Sequence, residues 1–217
     1  MIEKPDALRL AELLCARLCH DLAGPIGTLV GALELVREQQ PDSEEAALAE
    51  EAADDMVQRL KLLRAAWGDA TEELDRPRLA SLAAGLSMAR KLRLVLEGLD
   101  QDVVFRPEAA RIVLNLLLLG IESTPGGGTM ILSSAGRGSI LLSIEGPRAG
   151  WPAGLADWLT DDETAWGALL SGARTVQGPL TALLARNSGF RLSIMMPAGA
   201  AEATDACPPL LLDLGQR

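Results

Sequence analysis

Histidine is nearly absent from this 217-residue chain, which has one, His20. That excludes any scheme needing two histidines, such as a His-rich zinc site. Tyrosine is missing altogether, and four Trp and two Phe are the whole aromatic complement. The core must therefore be built from Leu, Ala, Val and Ile. A basic excess is also missing: 20 Lys and Arg stand against 30 Asp and Glu, a net charge of −10 with pI near 4.7. Nucleic acid and anionic membrane surfaces both call for a basic face, so neither is expected as a partner. The longest apolar run, 112–121, is interrupted by Asn115. It falls far short of the roughly 20 residues that span a bilayer. The opening Met1-Ile2-Glu3-Lys4-Pro5-Asp6 has no signal-peptide pattern. Three cysteines, Cys15, Cys19 and Cys207, have no framework spacing and fit a reducing compartment. These absences lead to the expectation of a soluble, cytoplasmic protein.

What is present is helix, then a change of texture. The chain is long enough for one large domain or two small ones. From about Asp6 to Gln39 the pattern is continuously helical, and Pro41-Asp42-Ser43-Glu44-Glu45 breaks and restarts it. Asp42 with Glu45 three residues on predicts a capping box, with acids in the first turn where the helix dipole favours them. A second helix is expected over 43–67, carrying Ala49, Ala52, Met56, Leu60, Leu63 and Trp67 at 3–4 spacing. Two long helices joined by a tight turn make an antiparallel hairpin. One hairpin cannot bury both apolar stripes, so a symmetric homodimer with a four-helix bundle is the expected solution.

The polar stretch 68–77 marks the expected boundary between a helical unit, 1–70, and a mixed α/β unit, 71–217. Beyond it the pattern predicts helix over 77–90, strand over 92–97 and a long apolar helix over 107–124. Strands follow over 129–134 and 139–144, joined by the hairpin signal Ala135-Gly136-Arg137-Gly138. Short helices around Trp158 and Trp166, a helix over 176–187 and a strand over 190–195 come next. The Ala-, Gly- and Pro-rich residues after Pro197 read as a loose tail.

At about 100° per residue, Leu18, Leu22, Leu29, Leu33 and Val36 fall within roughly 40° of the direction opposite His20. Ala11 and Cys15 lie on that same side, which is read as the core side. His20 therefore projects away from the apolar stripe. Its own face carries Gly24, Gly27 and Gly31, with Ala16 and Ala23 on the flanks. Each glycine costs a helix about 1 kcal/mol relative to alanine. Small residues in a row admit another backbone, and two readings follow: packing within the protein, or a groove where a partner docks beside His20. The second is favoured, because the stripe for internal packing lies on the other side.

A neutral imidazole is a competent nucleophile toward phosphorus, and phosphohistidine is labile enough to relay phosphate rather than store it. The attacking nitrogen needs the other ring nitrogen protonated, and a carboxylate holds that tautomer. Asp21 is the candidate for that orienting or basic role. Arg17, one turn earlier, is a candidate for offsetting phosphate charge, alongside the plain reading of a surface arginine. Cys15, Cys19 and His20 are not read as a metal site, since no fourth ligand is evident.

His20-Asp21-Leu22-x-x-Pro25 resembles the H-box of the dimerisation and phosphotransfer domain of histidine kinases. The longer string Leu13-Leu14-Cys15-Ala16-Arg17-Leu18-Cys19-His20-Asp21-Leu22 is similar to the alphaproteobacterial histidine phosphotransferase family, ChpT. Arg111-Ile112-Val113-Leu114-Asn115-Leu116 resembles the start of a kinase N-box. Arg174-Thr175-Val176-Gln177 followed by Leu183-Leu184-Ala185-Arg186 is again similar to the phosphotransferases. The departures separate phosphotransferase from kinase. Leu119 occupies the place of a second, Mg²⁺-holding asparagine, and Glu122 that of a common basic residue. No adenine-reading aspartate follows, where only Glu145-Gly146-Pro147-Arg148 remains, and the glycine-rich phosphate loop is reduced to Gly178-Pro179-Leu180-Thr181.

The resemblance implies an α+β protein: a dimeric helical bundle displaying His20, beside an α/β sandwich like a degenerate kinase ATP-binding domain. It implies a histidine phosphotransferase that accepts phosphate from the receiver domain of a hybrid histidine kinase and passes it to response regulators. His20 is then the carrier, Asp21 the orienting group, and Arg17, Ala16, Ala23, Gly24, Gly27 and Gly31 the phosphate and partner contacts. Mg²⁺ is expected on the partner receiver and no cofactor in this chain. Two alternatives stand beside it: an ATP-using histidine kinase with divergent motifs, and a scaffold that binds receivers without carrying phosphate. Gly24, where phosphatase-type kinases place Thr or Asn, argues against phosphatase action.

Overall fold

The computed structural model describes residues 4–38, 44–87, 92–136, 138–195 and 207–215. Two long helices open the fold: α1, Lys4–Glu38, and α2, Glu44–Trp67. Pro25 lies inside α1, where its missing N–H leaves the Asp21 carbonyl without the usual helical donor. Asp42, the expected N-cap of α2, lies outside the described residues. An ion pair from Asp21 on α1 to Arg59 on α2 spans the hairpin, and the two residues stand at similar distances before and after the connection. That is the register of antiparallel neighbours.

After Trp67 the short strand β1, Leu74–Asp75, pairs antiparallel with β3, Val104–Phe105. Helix α3, Arg76–Ser87, and strand β2, Leu92–Val95, lie between them in the chain. Helix α4, Pro107–Glu122, starts with Pro at its first position, where the lost donor costs nothing. Every residue from Ile112 to Ile121 on α4 is buried, which accounts for the apolar run in the sequence. Strands β4, Gly128–Ser134, and β5, Ser139–Glu145, form the expected hairpin, with Gly136 and Gly138 both at positive φ. Helices α5, Leu155–Thr160, α6, Asp162–Leu169, and α7, Gln177–Asn187, then lead to β6, Arg191–Ile194.

The expectation of a loose tail after Pro197 is corrected for its last part, while residues 196–206 lie outside the described residues. Residues Leu210–Asp213 form strand β7, which lies between β5 and β6 in the five-stranded sheet of order β2-β4-β5-β7-β6. β2 pairs parallel with β4, and the other neighbours are antiparallel. The register aligns Met130 with Ile144, Leu132 with Leu142, and Leu142 with Leu210, so one face of the sheet is a continuous aliphatic layer. Leu210 and Leu212 are fully buried in it. A Leu-Leu-Leu run behind two prolines is too short to stand out by periodicity, yet it fits a central strand.

The core formed by α4 and the sheet extends into α2 through Leu62, Leu63 and Ala66. The hairpin is thus seated on the rest of the fold by the last turns of α2. Arg111 on α4 reinforces that seat, donating to the carbonyls of Ala66 and Trp67 at 3.4 and 3.5 Å.

The core side assigned to α1 is also corrected. Of that side, Leu18, Leu22, Leu29 and Val36 are half-buried but Cys15, Ala11 and Leu33 are exposed, whereas Leu13, Arg17, Asp21 and Ala32 are buried. The side of α1 turned toward α2 and α4 is set by the paired Arg17 and Asp21. It leaves Ile26, Val30, Leu33 and Leu35 on α1, and Leu48, Val57 and Leu60 on α2, open to solvent. The stretch Leu10–Val36 is long and apolar enough to cross a membrane by length and composition, and little of it is buried.

Candidate functional site

His20 lies midway along α1, and its side chain is 65% exposed. Its Nδ1 stands 3.3 Å from Oδ1 of Asp21. An ionised carboxylate only accepts, so Nδ1 is the donor, and in the neutral ring Nε2 then keeps its lone pair. Nothing else among the described residues hydrogen-bonds to the ring. The imidazole thus presents an unprotonated nitrogen to solvent.

Asp21 is the opposite kind of group, with its side chain only 4% exposed. Oδ2 accepts from Arg17 Nε at 3.0 Å and lies 3.4 Å from an Nη of Arg59. Burial is the largest single influence on this carboxyl and pushes its pKa up. The charges of Arg17 and Arg59, with hydrogen bonds from Arg17 and His20, outweigh it and hold the carboxyl below its usual range. A carboxylate so stabilised orients the imidazole and balances positive charge on it. It is a poor proton acceptor.

Arg17 is not placed where the sequence reading put it. Its guanidinium is nearly buried and turned away from His20's open side. One Nη pairs with Glu122, the last residue of α4, and the other reaches the Ala173 carbonyl at 3.5 Å. Burial, again the largest influence, lowers its pKa, but the carboxylates of Glu122 and Asp21 more than reverse that and raise it overall. Arg17 is therefore spent on Asp21 and on binding α1 to the remainder of the fold. The i, i+4 spacing of Arg17 and Asp21 was a readable signal for that pair. Nothing in the sequence alone pointed to Arg59, and Glu122 stood out only as a departure from a kinase motif.

The small residues do lie on the open side. Ala16, Ala23, Gly24 and Gly27 are exposed and Gly31 is half-buried. A Cβ built at Gly24, Gly27 or Gly31 would meet nothing within 4 Å. Packing within this chain therefore does not account for these glycines.

The motifs that resemble a kinase nucleotide site are occupied with each other. Asn115 is fully buried, and its Nδ2 donates to the Ala66 carbonyl at 2.7 Å and to the Arg111 carbonyl at 2.9 Å. Its Oδ1 accepts from Gln177 Nε2 at 3.0 Å, and Gln177 also donates to Thr181. Gly178 stands in the first turn of α7 against Trp158, where a Cβ would come within 2.7 Å of the indole. Its smallness serves that contact. A cavity of about 600 Å³ does open elsewhere, between the end of α2, residues 68–74 and the start of α4. It is lined by both signs of charge, including Arg64, Arg111 and Glu73, and does not reach His20.

Comparison with known proteins finds phosphotransferases. Residues 76–200 match the family model described as the histidine phosphotransferase C-terminal domain. The protein phosphotransferase ChpT of Brucella abortus (strain 2308) is 28% identical over 195 residues, covering 87% of this chain and 91% of that protein. A solved structure of a bacterial phosphotransferase is 26% identical with a TM-score of 0.68, covering 98% of this chain and 97% of the other.

Proposed function

Because the chain belongs to the histidine phosphotransferase family, we propose that His20 is its phosphate carrier, moving a phosphoryl group between receiver-domain aspartates. The observation that carries this is the exposed imidazole whose Nδ1 lies 3.3 Å from Oδ1 of buried Asp21, with Nε2 left open. Nε2 attacks the phosphorus of an aspartyl phosphate. The N–P bond forms, the P–O bond breaks, and the leaving carboxylate keeps the electron pair. The ring becomes positive as it attacks, and Asp21 stabilises that charge through Nδ1–H. Return to a second aspartate reverses each step. The donor is the receiver of a hybrid histidine kinase and the acceptors are response regulators, each bringing its own aspartate and Mg²⁺.

The chain works without ATP. Support comes from Asn115, whose amide is fully engaged inside the protein, and from α7, whose first turn packs on Trp158 rather than opening as a phosphate loop. These residues do not fit a nucleotide with its Mg²⁺. Residues 1–70 act as the dimerisation and phosphotransfer unit and 71–217 as a degenerate kinase-like unit. The apolar side chains left open on α1 and α2, Ile26, Val30 and Leu60 among them, support a homodimer with a four-helix bundle. Receiver partners place the reaction in the cytoplasm.

The test is to mix the protein with a phosphorylated receiver and follow acid-labile label onto this chain, beside His20→Gln. Label is expected on the parent and none on the variant, which should keep its fold and dimer because the ring is exposed. Label retained on His20→Gln would overturn the assignment, since the chain has no second histidine.

A further inference from the structure

We infer that Glu122 is a positioning residue for the reaction of His20, acting through Arg17 and Asp21. This rests on the carrier role of His20 proposed above and adds a residue 102 positions away in sequence that pairs with Arg17 rather than with the ring.

The relay is continuous. Glu122 pairs with one Nη of Arg17, Arg17 Nε holds Oδ2 of Asp21, and Oδ1 of Asp21 holds Nδ1 of His20. The guanidinium is planar, and its donors point in fixed directions. One Nη is paired with Glu122 and the other is turned to the Ala173 carbonyl, and the guanidinium meets Asp21 through Nε alone. That leaves Oδ1 to the imidazole. Without the Glu122 carboxylate, the favoured arrangement of arginine and aspartate is the bidentate fork, with two parallel bonds to both oxygens. Oδ1 is then drawn toward Arg17, the hold on Nδ1–H weakens, and the ring is free to carry its proton on Nε2. In that tautomer the attacking lone pair is gone.

The position of Glu122 favours this role over a purely local one. It is the last residue of a 16-residue helix, where the dipole disfavours an acid. A carboxylate there works against its own helix, and its counter-charge comes from Arg17 on α1.

The sole histidine makes the test direct. Full-length protein labelled with ¹⁵N-histidine shows one pair of ring nitrogens, and long-range proton–nitrogen correlation identifies which one is protonated. The parent is expected in the Nδ1–H form. Glu122→Gln should show a clear admixture of the Nε2–H form, and Glu122→Ala, which leaves Arg17 no side-chain acceptor at that position, should show it too. If Glu122→Gln folds poorly, Glu122→Ala alone decides. With a phosphorylated receiver, Glu122→Gln should lower the maximal transfer rate by about tenfold, within the roughly 100-fold that misplacing a reacting group by about 1 Å can cost. The receiver concentration for half-maximal rate should not move. An unchanged tautomer in both variants overturns the inference, and so does a rate defect expressed only in the half-maximal concentration, which would make Glu122 a docking residue. The tautomer measurement needs no phosphate donor. A parent protein that never accepts phosphate would therefore condemn the carrier role, and a parent that does, with unmoved tautomers in the variants, would condemn only the role of Glu122.

Discussion

Gln177 donates its side-chain amide to Oδ1 of Asn115 at 3.0 Å, joining the first turn of α7 to the middle of α4 across 62 positions. Both residues are buried, and Asn115 passes the connection on to the last turn of α2 through the Ala66 carbonyl. The residues that resemble nucleotide-site motifs thus form a structural junction beneath the phosphotransfer hairpin.

Two outcomes follow from that junction. Calorimetry with millimolar ATP, with and without Mg²⁺, should register no binding, and a micromolar dissociation constant would favour the kinase reading. Asn115→Ala should cost about 1–3 kcal/mol by denaturant titration, because Gln177 Nε2 loses an acceptor and the Ala66 carbonyl loses a donor in a dry interior. A neutral Asn115→Ala would mean that the junction holds nothing together.

Gly27→Leu and Gly31→Leu should separate partner docking from internal packing. Replacing a helical glycine favours the helix by up to about 1 kcal/mol. The new side chains meet open space in this chain. Stability should hold or rise. Transfer should slow by about 100-fold, the scale of a 1 Å displacement between reacting groups. A lower melting temperature with His20 still reactive would assign these glycines to the bundle instead.

Asp21 ties stability to acid pH. Its folded-state pKa is depressed despite burial, by Arg17, Arg59 and the His20 bond, so in acid the unfolded chain binds more protons than the folded one. The stabilisation is complete above the unfolded value of about 3.9 and is lost as pH falls through the lower folded value. Denaturation curves from pH 6 down to pH 2 should therefore show a steeper acid loss for the parent than for Asp21→Asn. Parallel curves would mean that the carboxylate gains nothing from its arginines.

Deleting residues 207–217 should abolish cooperative unfolding of the α/β portion. β7 lies between β5 and β6, and its removal strips both of a hydrogen-bonded neighbour. Burying Leu210 and Leu212 stabilises the fold by about 1.5–3 kcal/mol each, a large share of the roughly 5–15 kcal/mol that holds a domain. Thermal melts followed by circular dichroism would check this, and an unchanged midpoint would contradict the role of the strand.

The sequence alone determined what depends on neighbours along the chain. The long helices, the apolar α4, the β4–β5 hairpin and the exposure of His20 follow from periodicity and turn chemistry, in which each residue is judged against others a few positions away. The Arg17–Asp21 spacing belonged to the same class, although its meaning did not. Tertiary structure decided everything that required distant partners. Arg17 reads as a phosphate contact until Glu122 arrives from 105 positions later and claims its free nitrogens. The buried side of α1 lies partly off the apolar stripe, because the buried Arg17–Asp21 pair also faces inward while Leu18, Leu22, Leu29 and Val36 are only half-buried. Residues 210–213 looked like part of a tail because a four-residue strand has no pattern of its own. It acquires one only when the two edges it joins are already built.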